Sequence, residues 1–154
     1  MVDDKEMQRL FAFHMHRIKC AVFRVLNKKL VNLNLPVQME QIPVLFTLYG
    51  QGDLSQQEIA NRTERDKSSV QRTVRLLQDK KLVIIQQDQF DRRKNIVHIT
   101  SAGKTITAKI RKVLIEAEEE VFSAVNPKDR DDFFNVLKKI SEVIGTPGIC
   151  EPEK

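Results

Sequence analysis

Residues 54–100 read LSQQEIANRTERDKSSVQRTVRLLQDKKLVIIQQDQFDRRKNIVHIT. The stretch parses as helix, turn, helix, strand, basic tip and strand. Ser55 and Glu58 stand in the S-x-x-E spacing of a capping box, in which each side chain satisfies a free backbone N–H of the other residue. Leu54 and Ile59 occupy the two positions of a hydrophobic staple, which fixes the angle at which the chain enters the helix running to Asn61. Thr63, Glu64 and Arg65 form a short turn, and Asp66 is a good N-cap for the helix that follows.

That second helix is predicted over 66–80. Val70, Val74 and Leu77 recur on one side of a 3.6-residue period and form its buried stripe. Ser68, Arg72, Arg75 and Asp79 fall opposite, with Gln71 at the edge. A plain amphipathic helix with a solvated polar face would look the same. The residue types nevertheless suit a major groove: Arg pairs with guanine, Gln with adenine, and Ser with base or backbone. Lys67 and the N-terminal amides are placed to hold a phosphate. The short capped helix and tight turn ahead of it favour a DNA-binding helix-turn-helix.

Residues 82–87 and 95–100 are β-branched runs of strand length. Between them Arg92, Arg93 and Lys94 crowd the tip, so the hairpin reads as a wing that reaches phosphates or a minor groove. Asp91 is an unusual DNA contact and is expected to orient an Arg by a charge-assisted hydrogen bond. The alternative is a charged hairpin that only blunts a sheet edge.

Charge supports the first reading. The chain carries a net +5, and residues 54–100 hold ten basic against six acidic residues, whereas residues 101–154 hold nine against ten. A polyanionic partner is the natural inference from that concentration, the alternative being a solvated basic surface. With 41% apolar and 31% charged residues over 154 positions, the chain suits one soluble domain with a real core. No apolar run is long enough to span a membrane. The acidic start, MVDDKEMQRL, is unlike a signal peptide. Two distant cysteines, Cys20 and Cys150, form neither a disulfide framework nor a zinc signature, and a reducing cytoplasm fits best.

Long helices flank the central stretch. One is expected over 5–33, with an apolar face through Leu10, Phe11, Ile18, Val22, Val25 and Leu26 that is wider than one small neighbour covers; it suggests a partner chain, the alternative being an ordinary buried helix. Pro36 follows it. A helix over 38–49 contains Pro43, which requires either a bend there or a regular part that begins later. Thr100 or Ser101 caps a helix over 101–124, in which Glu116 and Glu118 to Glu120 form a solvated side. Asn126-Pro127 opens a last helix over 127–144 that Gly145 terminates. The predicted fold is mainly α: a winged helix-turn-helix over 38–100 with a two-stranded hairpin, between a dimerisation helix in 1–37 and dimerisation helices and a tail in 101–154.

With these elements placed, the chain resembles the MarR family of winged helix-turn-helix transcriptional regulators. The carrying pieces are the L-S-Q-Q-E-I-A helix, the D-K-S-S-V-Q-R-T-V recognition helix, the D-R-R wing and the H-I-T-S-A-G-K exit. The resemblance implies a cytoplasmic homodimer on a palindromic double-stranded DNA site, a repressor released by a small-molecule effector. Its recognition-helix positions fall on Ser68, Ser69, Gln71 and Arg72, and its wing pair on Asp91 and Arg93. Lys81 stands where the family usually has Gly, so either the helix ends differently there or the added charge meets phosphate. One branch of the family senses peroxide through a cysteine on the first helix, which makes Cys20 a redox candidate; Arg17, Lys19 and Arg24 are near enough in sequence to favour its thiolate. A winged-helix module that binds protein instead of DNA is the competing class. His14 and His16 point apart on their helix and cannot share a metal. With no nucleophile–base pair, phosphate loop or metal motif, neither an enzyme, a metal site nor a cofactor is expected.

Overall fold

A computed structural model describes residues 10–145. In chain order it contains α1 (Phe11–Asn32), a 3-10 turn (Met39–Gln41), α2 (Ile42–Gln51), β1 (Leu54–Ser55), α3 (Gln56–Thr63), α4 (Lys67–Asp79), β2 (Val83–Gln87), β3 (Asn95–Ile99), α5 (Ser101–Val121) and α6 (Pro127–Ile144). The mainly helical winged fold is as expected. The start of the predicted 5–33 helix and Cys150 lie outside the described residues.

Local chemistry explains most boundaries. Pro43 sits in the first turn of α2, where its missing N–H has no partner to lose, so the helix begins later than 38 instead of bending. Ser55, Asp66, Thr100 and Asn126 each cap a helix by accepting a backbone N–H from three residues on. Gly145 ends α6 with φ 67°, a left-handed conformation that glycine adopts without strain.

The sheet has three strands, not the two of a simple hairpin. β2 and β3 pair antiparallel from Val83↔Ile99 to Gln87↔Asn95. Leu54 and Ser55 then add a short strand on the other edge of β3, opposite Val97 and Ile96. The residues that open α3 thus also tie it to the wing, and one edge of the hairpin is covered.

Among the described residues, two apolar clusters form the core. The first joins α2, α3, α4 and the sheet around Leu45, Leu48, Ile59, Val70, Val74, Leu77 and Val97, all fully buried. The second joins Leu30 of α1, Ile42 of α2, and Ile110 and Val113 of α5. Beyond it the long helices are poorly covered. Phe11, Ile18 and Phe23 of α1 are exposed, and α6 has no buried residue although Phe133, Phe134, Val136, Val143 and Ile144 lie on it.

The end of α4 resolves the question at Lys81. Lys81 takes φ 59°. Its N–H donates to the Gln78 carbonyl at 2.8 Å, and the Leu82 N–H donates to the Leu77 carbonyl at 2.9 Å. That is a Schellman ending, with buried Leu77 and Leu82 as its apolar contact. The helix therefore does not end differently: a lysine is held where glycine is favoured, at a cost of about 1 kcal/mol. Lys81→Gly is expected to stabilise the fold by about that amount, read as a higher denaturant midpoint at fixed protein concentration. An unchanged or lower midpoint would contradict this account of the turn.

Candidate nucleic-acid interface

The surface is built on α4. Val70, Thr73, Val74 and Leu77 are buried, while Lys67, Ser68, Gln71, Arg72, Arg75 and Asp79 are exposed. The helical period alone accounts for this division, because the four buried positions share one side of the cylinder. The α3–α4 turn that presents the helix closes through Glu64, which takes φ 51°, and through the Arg65 N–H, which donates to the Ala60 carbonyl at 3.0 Å. The Asp66 carboxylate then accepts the Ser69 N–H at 2.8 Å.

On one flank of α4, Lys67 and Gln71 line a concave surface together with Arg93 and Lys94 of the wing and Ser55 and Gln57 at the start of α3. Four of the residues expected to contact DNA thus converge from two separate elements. Ser55 and Glu58 anchor the same corner. The Glu58 carboxylate accepts the Ser55 N–H at 2.8 Å and the Ser55 hydroxyl at 2.6 Å. These two bonds hold its pKa below the ordinary range, hydroxyl first, so it stays ionised beside the basic groups.

On the other flank Ser69 and Arg72 face the 3-10 turn. Ser69 is half-buried and its hydroxyl accepts from the Arg65 guanidinium at 2.8 Å, so it is more enclosed than its exposed helix neighbours. The same guanidinium donates to the Glu40 carbonyl at 2.7 Å. At the far end of α4, Lys80 donates through Nζ to Oε1 of Gln41 at 3.1 Å, and the Gln38 N–H donates to that oxygen at the same distance. Gln41 is 2% exposed. Arg65, Gln41 and Lys80 therefore clamp both ends of α4 to the 3-10 turn. Sequence reading missed all three as positioning residues; the i, i+4 spacing of Arg65 and Ser69 was the one local hint.

The wing tip corrects a second expectation. Asp91 does not hold an arginine side chain. Its carboxylate accepts the backbone N–H of Arg93 at 3.0 Å. Asp88 does similar work, accepting the N–H groups of Phe90 and Asp91 at 2.7 and 2.8 Å, which lowers its pKa, the Asp91 bond first. The Gln87 side chain donates to the Arg92 carbonyl at 2.6 Å. Short polar side chains accept from nearby amides in tight turns, and that competes with salt bridging. The consequence is a tip in which Arg92, Arg93 and Lys94 are exposed. At the base of the wing, His98 Nδ1 lies 2.8 Å from the Asp53 carboxylate, which ties β3 to the turn before β1.

Cys20 lies apart, on α1. It is exposed, and its Sγ is 3.6 Å from His16 Nε2. Among the described residues, no group of three or more His, Cys, Asp or Glu side chains could hold a metal ion. No described helix is long and apolar enough to cross a membrane.

Comparison with known proteins places this surface in context. Residues 33–94, from the end of α1 through the wing tip, match the model of the MarR family. A Thauera aromatica protein named as a transcriptional regulator for the hcr operon is 23% identical over 128 residues, covering 83% of this chain and 76% of that protein. Among solved structures, Bordetella bronchiseptica BpsR, whose DNA binding is regulated by 6-hydroxynicotinic acid, superposes with TM-score 0.76 at 22% identity, over 86% of this chain and 94% of BpsR. The Streptomyces coelicolor transcriptional regulator PcaV, solved with its natural ligand, gives 0.75 at 16% identity, over 88% of this chain and 94% of PcaV.

Proposed function

We propose, from the premise that this winged-helix chain is of the MarR family, that it is a homodimeric, sequence-specific DNA-binding regulator whose occupancy of DNA responds to a small molecule. The observation that carries the reading is the convergence of Lys67 and Gln71 with Arg93 and Lys94 on one concave face. A helix with Ser68, Gln71, Arg72 and Arg75 outward offers base-reading chemistry to a major groove. The wing beside it offers Arg92, Arg93 and Lys94 to phosphates or a minor groove. Ser69 acts through Arg65 in this arrangement, and Asp91 acts by shaping the tip.

Residues 38–100 form the DNA-binding unit, and the flanking segments 1–37 and 101–154 form the dimerisation unit. The support is the exposed apolar surface of α1 and α6, which a lone chain would leave in water. Two-fold pairing makes spacing between the two α4 helices a determinant of the site, which is why the operator is expected to be palindromic.

The effector reading rests on a cleft between the end of α1 and the 3-10 turn, lined by Asn27, Leu30, Leu35, Met39 and Glu40. BpsR, a similar fold, has DNA binding regulated by 6-hydroxynicotinic acid. A ligand seated there would bear on the turn that clamps α4, so it could shift the reading helix only through a different affinity for the two positions. In a repressor that shift releases DNA.

Size-exclusion chromatography with light scattering is expected to give twice the 17.8 kDa chain mass. A monomer at working concentration would overturn the two-fold reader.

A further inference from the structure

Phe90 is the most exposed large apolar side chain among the described residues, at 97%. It stands at the tip of the wing, where a fully solvated aromatic ring adds nothing to the core. Its place is built. The Asp88 carboxylate accepts the N–H groups of Phe90 and Asp91, the Asp88 N–H donates to the Lys94 carbonyl at 2.9 Å, and the Lys94 N–H donates to the Asp91 carbonyl at 2.9 Å. With the Gln87 and Arg93 bonds, these fix the backbone on both sides of the ring. Side chains on either side of it are polar, Gln89 and Asp91, and the basic run Arg92 to Lys94 follows. A single ring in such surroundings does not suit a broad apolar partner. It suits a narrow slot beside phosphates.

We propose that Phe90 is a wedge residue: as the basic run of the wing draws the tip to the minor groove, the Phe90 ring lodges against a base step and partly unstacks it. The inference rests on the DNA-binding reading above and deepens it by naming an apolar, deformation-sensing contact. Rings inserted from a wing or sheet open a step and bend the duplex away from the inserted side. Steps that unstack easily, pyrimidine–purine steps above all, are then preferred without any hydrogen bond to a base. The rigid turn matters because a backbone already fixed at the tip loses little freedom when the ring inserts.

The test uses the full chain and a duplex recovered by selection from a random-sequence pool, with 2-aminopurine walked through the positions flanking the site. Wild type is expected to raise 2-aminopurine fluorescence at one step in each half-site. Phe90→Ala is expected to abolish that rise and weaken binding about tenfold, as loss of a base–aromatic contact does. Its salt slope should match wild type, because no charge is removed. Phe90→Leu should keep most of the affinity. Arg93→Ala should instead reduce the slope. Equal affinity for wild type and Phe90→Ala would overturn the wedge, as would a weaker Phe90→Ala when wild type unstacks no step. A wild type that binds no duplex at low salt would overturn the DNA reading itself, and the wedge with it. Since the ring touches no core, the variants test contact and not folding.

Discussion

Gly103→Ala is expected to lower stability by about 3 kcal/mol, the upper end for an overpacked site. Inside a helix the same change normally stabilises, since alanine restricts the unfolded chain and favours the helix by about 1 kcal/mol. The sign reverses here because of what lies opposite. A Cβ on Gly103 would stand 2.2 Å from the Leu82 carbonyl oxygen and 2.8 Å from Cγ1 of Ile99. The Leu82 oxygen cannot retreat freely: it accepts the Thr100 N–H at 3.0 Å, and the Leu82 N–H closes the end of α4. The Thr100 hydroxyl donates toward the Lys81 and Leu82 carbonyls at 2.8 and 3.1 Å and accepts the Gly103 N–H at 3.0 Å. One junction therefore joins α4, the wing and α5, and the glycine lets them meet. For a chain of this size the expected fall in melting temperature is about 10 °C, measured by circular dichroism at one protein concentration, because the proposed dimerisation would make the midpoint concentration-dependent. A melting temperature equal to or above wild type would contradict the close packing.

What was legible in the sequence was chiefly what short-range chemistry determines. Asp66 and Asn126 start their helices and Gly145 ends one as read, and Ser55 and Glu58 close their box, because each cap is a bond between residues three or four apart. The division of α4 into Val70, Val74 and Leu77 inside and Ser68, Arg72 and Arg75 outside follows from the helical period. Of the apolar face expected on the first helix, Leu10, Phe11 and Ile18 are exposed in the described residues.

Contacts distant in sequence were not legible. Nothing local announces that Leu54 pairs with Val97, that Arg65 donates to the Glu40 carbonyl, or that Lys80 finds Gln41. Tertiary placement also overrode two local readings. Lys81 bends into a left-handed conformation because the Leu77–Leu82 contact and Thr100 hold the turn. Asp91 had amides nearer than any guanidinium, so a charge pair expected from residue type became a turn bond. Phe90 passed unremarked because a single aromatic residue in a polar loop has no periodicity to betray its exposure.

The second large effect concerns affinity. Arg72 is the central cation on the exposed side of α4, and Arg93 is, with Lys94, a wing cation that lines the same concave face as Lys67 and Gln71. A bidentate base contact contributes about 1–3 kcal/mol, and a phosphate contact contributes both affinity and salt dependence. In the proposed dimer each is present twice, so Arg72→Ala with Arg93→Ala is expected to weaken specific binding by about a hundredfold or more, about 2.7 kcal/mol at least. Both side chains are exposed, so the fold should survive and circular dichroism should be unchanged. The direct measurement is fluorescence anisotropy of a labelled duplex, selected from random sequence by the wild-type chain and titrated at several salt concentrations. Wild type should bind tightly with a steep loss on adding salt, and the double variant should bind far more weakly with a shallower slope. Wild-type affinity and slope retained in the double variant would contradict the claim that this face reads DNA.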